Sequence, residues 1–271
     1  LRSENLEIYI TGSSAKLLSK EIGTQMRGRS LSWEMFPLSF QEYLGFKDIE
    51  QKKMLSHDHK LVVRKVFLGY WESGGFPEII NLSEEMRVRV LQDYYHSILY
   101  RDIIERYNLG NPKGIMDVAH YLLSNIGSLY SVNKLTNHMK NRGHKTSRES
   151  IANYLDWFED TFFLFSVSIY DASVNRRAIN PKKVYCVDHA LVTAVTSKIS
   201  ANAVHLLENL MFVTLRRLGN SIYYYKTAGG LEVDFLLINK HDHIQLIQVC
   251  ESLFNEDTRN REVKALHLAM Q

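Results

Sequence analysis

Leu231-Glu-Val-Asp-Phe-Leu-Leu-Ile238, then the turn His241-Asp242-His243, then Ile244-Gln-Leu-Ile-Gln-Val-Cys250, is the stretch that decides how this chain folds. Two apolar runs separated by turn-forming residues predict a β-hairpin. Upstream, Ser221 to Tyr225 joins them through Ala228-Gly229-Gly230 and makes a three-strand meander. Ahead of the meander the pattern predicts a long helix from Ala203 to Leu218, and after it a terminal helix from about Asp257. A strand over Lys183 to Asp188 and a helix over Ala190 to Ser197 complete a mixed α/β unit spanning 176–271. Glu208 falls on the long helix, and Glu232 and Asp234 fall on the central strand of the meander.

Working towards the N-terminus, residues 111–175 read as helix (Ile115 to Ile126), helix (Ser131 to Lys140), the turn Asn141-Arg142-Gly143-His144, and helix (about Ser147 to Phe158). The β-type runs Phe162 to Ile169 and Arg177 to Ile179 follow. Three helices and a hairpin in that order predict a winged helix-turn-helix. Residues 51–110 are mostly helical, broken at Gly74-Gly75-Phe76-Pro77, which a helix does not pass. Within Met86 to Tyr107, the apolar residues Val90, Leu91, Tyr94, Tyr95, Ile98, Leu99 and Ile103 fall at helical spacing and predict one buried face. In residues 1–50, the strand-like run Leu6 to Ile10 leads to a turn and cap, Thr11 to Ser14, and a helix Ala15 to Ile22. Ser39 and Glu42 have the spacing of a capping box for a helix Phe40 to Leu44. The expected fold class is α/β and α+β, multidomain.

Composition sets outer bounds. The 271 residues are 45% apolar and 23% charged, as in globular proteins with a substantial core, and their length suggests two or three domains. A net charge of +3 neither demands nor excludes nucleic acid, so the local distribution of charge decides. No Cys/His spacing suits zinc, and the most apolar stretch, Thr161 to Tyr170, is about half of what a membrane helix needs. Cys186 and Cys250 sit in apolar strand-like runs and read as reduced, buried thiols, which with the absence of a signal peptide points to a cytoplasmic protein. The chain starts at Leu1 without methionine and stops at Gln271 inside a helix, so it reads as a fragment with a truncated C-terminus.

Several stretches resemble one known family. They are Ile10-Thr-Gly-Ser-Ser14 with Arg27-Gly-Arg29, Phe36-Pro-Leu-Ser-Phe-Gln-Glu-Tyr43, Gly74-Gly-Phe-Pro-Glu78, Tyr100-Arg-Asp-Ile-Ile-Glu105, Asn180-Pro-Lys-Lys-Val-Tyr185 and Leu206-Leu-Glu-Asn-Leu210. Together they make the chain similar to the C-terminal two-thirds of the archaeal and bacterial AAA-type ATPases that carry a winged helix and a PD-(D/E)xK nuclease-like domain. The resemblance implies the tail of an ATPase core at 1–50, a helical lid region at 51–110, a winged helix at 111–175 and a nuclease-like, restriction-endonuclease-like domain at 176–271. It also implies that Ser13 or Ser14 senses the γ-phosphate and that Arg29 reaches the nucleotide, where donors must face developing charge. Thr11 to Ser14 read equally as a plain helix cap. No phosphate-binding loop is present, so ATP and Mg²⁺ are expected only in an intact, longer protein and no cofactor in this stretch.

Nucleases of this fold hold a divalent ion between carboxylates and use a lysine to position water. The resemblance gives Glu208 and Asp234 as the carboxylates, but where Glu-x-Lys should follow, the chain reads Gln248-Val249-Cys250. Glutamine brings no charge and cysteine no cation, so the site is expected to be degenerate, with no bound metal and no catalytic residue. Lys226, on a neighbouring strand, is the candidate replacement for the missing lysine.

For the winged helix, contacts to DNA phosphates are expected from Lys140, Arg142, Lys145 and Arg148 around the second helix of the motif, and from Arg176, Arg177, Lys182 and Lys183 after the wing. Glu149, Asp156 and Glu159 on the same helix oppose such contacts. Tyr154, Trp157, Phe158, Phe162 and Phe163 read as core rather than as base-stacking surfaces. Three functional readings follow: a DNA-engaging regulatory part of an AAA-type ATPase, a protein-interaction scaffold, and a residual metal-dependent nuclease. Duplex DNA or a protein is the expected partner, and a membrane is not.

Overall fold

The computed structural model describes residues 9–12, 31, 33–50, 56–196 and 202–270. Ser13, Ser14 and Arg29 lie outside the described residues. The described chain is a mixture of helices with two small antiparallel sheets. Among the described residues no helix is long and apolar enough to cross a membrane.

Helix starts follow side-chain caps closely. Ser39 and Glu42 form a reciprocal capping box on α1 (Phe40–Phe46), and Ser56 caps α2 (His57–Ser73). Ser83 caps α3 (Glu84–Ser97), which continues as a π-helix through Ile98–Glu105. Asn111, with Pro112 in the first turn, starts α4 (Pro112–Ser124). Strand β1 (Leu129–Tyr130) leads into α5 (Val132–Asn141) and α6 (Arg148–Asp160), capped by Ser131 and Ser147. Then come β2 (Leu164–Val167), α7 (Val174–Ile179), β3 (Lys182–Cys186) and α8 (His189–Val195). The remainder is α9 (Ala203–Arg217), the strands β4 (Ser221–Lys226), β5 (Glu232–Ile238) and β6 (Ile244–Ile247), and α10 (Glu256–Ala269).

The first sheet has the order β1-β3-β2, with Lys183 opposite Leu129 on one side and Val167 on the other. This corrects the expectation for the wing. Arg177 to Ile179 is not its second strand, because Ser173 accepts a hydrogen bond from the Arg176 N–H and starts a helix there. β2 pairs instead with β3, so the expected boundary at 175/176 falls inside the β2–β3 connection. The second sheet is the meander β4-β5-β6. Its last strand ends at Ile247, short of the expected Cys250.

The two sheets touch. Ile169 and Tyr224 form a parallel bridge, the Tyr170 N–H donates to the Tyr224 carbonyl at 2.7 Å, and the Tyr224 N–H donates to the Ser168 carbonyl at 3.1 Å. Tyr185 of β3 stacks on Phe212 of α9 (4.5 Å between ring centres) and leans on Phe235 of β5. One continuous apolar core therefore runs from Ile79 to Val249 through both sheets. A smaller cluster of Tyr43, Tyr70 and Ile80 holds α1 to α2.

The Gly74-Gly75 break docks onto the β3–α8 turn. Asp188 caps α8 through the N–H groups of Ala190 and Leu191, while its other oxygen accepts the Gly75 N–H at 2.8 Å. Gly74 has φ +72°, and a Cβ there would collide with the Asp188 carboxylate and the Ala190 side chain. Gly74→Ala is therefore expected to destabilise the chain by roughly 1–3 kcal/mol, read by denaturant unfolding. An unchanged midpoint would mean that the turn yields freely.

Candidate functional site

Four charged side chains meet at the seam between the two sheets, and the cation is the one the sequence placed elsewhere. Lys183 was expected on the surface at the DNA; instead it lies on the central strand of the first sheet and is 2% exposed. The correction has a simple cause. Successive residues of a strand face opposite sides, so Lys182 and Lys183 cannot both point outward, and Lys183 shares its side with Tyr185. That side packs against α9 and β5.

The Lys183 ammonium lies 2.8 Å from Glu208 Oε1, 2.8 Å from Glu232 Oε1 and 2.9 Å from Asp234 Oδ1. Three acceptors match the three N–H donors of an ammonium group. The Tyr185 hydroxyl donates to the same Glu208 oxygen at 2.5 Å. Asp234 Oδ2 accepts the Val249 N–H at 2.9 Å, which fixes the carboxylate from its far side. The side chains of Lys183 and Glu208 are almost fully enclosed, at 3% and 4% exposure, whereas Glu232 at 29% opens the cluster to solvent.

Burial shapes the titration of these groups. It raises the Glu208 pKa to about 7, only partly offset by the attraction of Lys183. Burial opposes the charge on Lys183, yet the Glu208, Asp234 and Glu232 carboxylates outweigh it and hold the lysine above its ordinary value. Burial, followed by the Glu208 charge, pushes Tyr185 well above its ordinary value. With three carboxylates around one ammonium, negative charge is in excess, and both the carboxylate and the lysine retain protons more strongly.

The other expected residues are distributed as follows. Glu208 and Asp234 come together with Glu232 and Lys183. Gln248 does not point its carbonyl into the cluster, because its Oε1 accepts the Asp234 backbone N–H at 3.1 Å and so extends the strand pairing beyond β6. Cys250 lies outside any strand, half-buried, and both cysteines are free. Lys226 lies 3.6 Å from the outer oxygen of Glu232 and remains partly exposed, so it supports the rim rather than filling the centre. Among the described residues no group of three or more His, Cys, Asp or Glu side chains is arranged to hold a metal ion. Lys183 was missed in the sequence because Asn180-Pro-Lys-Lys reads as a solvated turn; its position two residues before Tyr185, on an otherwise apolar face, was the available signal.

The expected DNA contacts fall into two groups. Lys140, Arg142, Lys145 and Arg148 are exposed around the α5–α6 turn. Arg176 is exposed and pairs with Asp171 at 3.6 Å, while Arg177 and Lys182 are half-buried. Arg148 and Lys182 line a cleft of about 450 Å³ between α6, α7 and the first sheet, together with Glu149, Asp156 and Glu159. Burial raises the pKa of Glu159.

Comparison with known proteins adds lineage. A family model described as a domain of unknown function (DUF8612) matches residues 64–203, and one described as an AAA domain matches residues 1–44. The N-terminal stretch is thus AAA-type ATPase-like. An uncharacterized protein of Methanocaldococcus jannaschii is 37% identical over 275 residues, covering 100% of this chain and 61% of that protein. An uncharacterized protein of Haemophilus influenzae is 32% identical over 247 residues, covering 91% of this chain and 60% of that protein. The chain spans about three fifths of the length of these curated relatives. No solved structure matches it.

Proposed function

The chain belongs to the family described as a domain of unknown function (DUF8612), and from that premise we propose that it is the regulatory, DNA-engaging part of a longer AAA-type ATPase. In this reading residues 112–186 act as a winged helix-turn-helix and residues 202–270 as a nuclease-like unit that has lost its chemistry. The observation that carries the first half is the element order α4-β1-α5-α6-β2-α7-β3, in which the short α7 sits in the connection between the paired strands, with the sheet order β1-β3-β2 and Lys140, Arg142 and Lys145 exposed at the turn into α6. Such a turn presents cations to a phosphate backbone and orders binding by salt rather than by base sequence. The second half is supported by Gln248 and Cys250 at the positions of the missing carboxylate and lysine. Nucleotide sensing by Ser13, Ser14 and Arg29, with ATP and Mg²⁺, belongs to the same proposal for the longer protein.

A duplex DNA titration across a salt series tests the reading. Binding is expected to weaken steeply as salt rises, and Arg142→Glu/Lys145→Glu is expected to weaken it by about tenfold or more and to flatten the salt slope by about one unit per lost contact. The carboxylates Glu149, Asp156 and Glu159 along the α6 cleft favour the second reading, a protein-docking surface. Absence of binding even at low salt would leave that reading standing and remove the first.

A further inference from the structure

We propose that the Lys183 ammonium is the resident cation of the Glu208–Glu232–Asp234 cluster, standing where a nuclease of this fold would hold its divalent ion and excluding that ion. The inference rests on reading residues 202–270 as nuclease-like, and it explains why a carboxylate set survives there without Glu-x-Lys.

The size of the cage supports it first. The three oxygens stand 2.8–2.9 Å from Nζ. Magnesium needs oxygens at about 2.0–2.1 Å and calcium at about 2.3–2.6 Å, so the spacing is that of a hydrogen-bonded ammonium. A metal among the same oxygens would also lie against a positive charge that cannot retreat. Lys183 is on a central strand, paired with Leu129 and Val167, and its side chain is 3% exposed.

Three further oxygens that could serve a metal are engaged within the protein. Asp234 Oδ2 takes the Val249 N–H, Glu232 Oε2 faces Lys226, and the Gln248 carbonyl takes the Asp234 N–H. The fit to a divalent ion therefore fails on both distance and charge. What the cluster does instead is join two parts of the chain. Its cation comes from the first sheet, and its anions come from α9 and β5.

The test measures Mn²⁺ binding to the chain by paramagnetic resonance, alongside thermal unfolding with and without Mn²⁺. Wild type should show no saturable site, and Mn²⁺ should not shift its melting temperature. Lys183→Ala, which opens the cage, should bind Mn²⁺ at least about tenfold more tightly than wild type and melt higher when it is added. Both effects should vanish in Lys183→Ala/Asp234→Ala. Saturable binding by wild type that Asp234→Ala abolishes would overturn the proposal, and so would a folded Lys183→Ala that takes up no Mn²⁺. If Lys183→Ala fails to fold, Lys183→Gln keeps the stem without the charge, and the wild-type measurement decides independently of either. Duplex cleavage read in the same samples separates the two ideas. Wild type that binds Mn²⁺ without cutting overturns only the resident cation, whereas cutting lost in Asp234→Ala overturns the inactive-nuclease reading as well.

Discussion

Replacing Lys183 by methionine is expected to destabilise the chain by about 3–5 kcal/mol, the range for removing one partner from a buried ionic cluster. The stem stays nearly the same length, so little packing is lost. What is lost is the counter-charge to Glu208, Glu232 and Asp234, each held within 2.9 Å of it. Two of these carboxylates are largely withdrawn from water and cannot recover their solvation without opening the seam between the sheets. In thermal unfolding the change should appear as a fall on the order of 10 °C. Lys182→Met is the control: the preceding lysine faces the other side of the strand and should cost less than about 1 kcal/mol. A similar small loss for both variants would show that the ammonium is not the centre of the cluster.

The second large effect is on pH dependence. Burial raises Glu208 from 4.5 to about 7, so between those values the folded chain holds a proton that the unfolded chain has released. The stability this contributes is fully present below about pH 4.5 and is lost as the pH rises through about 7. Glu208→Gln has no proton to lose. It should match wild type below about pH 4.5 and exceed it increasingly towards pH 8, by up to roughly 3 kcal/mol. His205 has the opposite sign, because burial and then Lys183 lower its pKa, so its contribution grows as the pH rises. It is present in both proteins, and the difference between their denaturation curves isolates Glu208. Parallel stability–pH curves for the two would refute a raised Glu208 pKa.

Much of the architecture was legible because it is written locally. Ser39 with Glu42, Ser131, Ser147 and the turn at Ala228-Gly229-Gly230 each act within a few residues, and the elements they start or join lie within a few residues of where the sequence puts them. Glu208 and Asp234 were readable as a pair through the resemblance and through their places on a helix and a central strand. Lys183 was not, because what determines its role lies 25 and 51 residues away, at Glu208 and Asp234. Strand alternation says that one of two adjacent lysines turns inward, but only tertiary pairing says which one and towards what. The strand expected at Arg177 to Ile179 fails for the same reason. Arg177 to Ile179 looks extended in isolation, and Ser173 decides otherwise by capping a helix.

The charge cluster also bears on how such a protein can be rearranged over time. Lysine on β3 and carboxylates on α9 and β5 make each side unfit alone: a grafted first sheet would bring a buried cation with no anion, and α9 with the meander would bring three crowded carboxylates with only the rim cation Lys226 beside Glu232. Recombination that swaps one module for a foreign counterpart would be selected against unless both halves of the electrostatic pairing changed together. The two modules are therefore expected to be inherited as one piece, with substitutions at 183, 208, 232 and 234 arising as a correlated set.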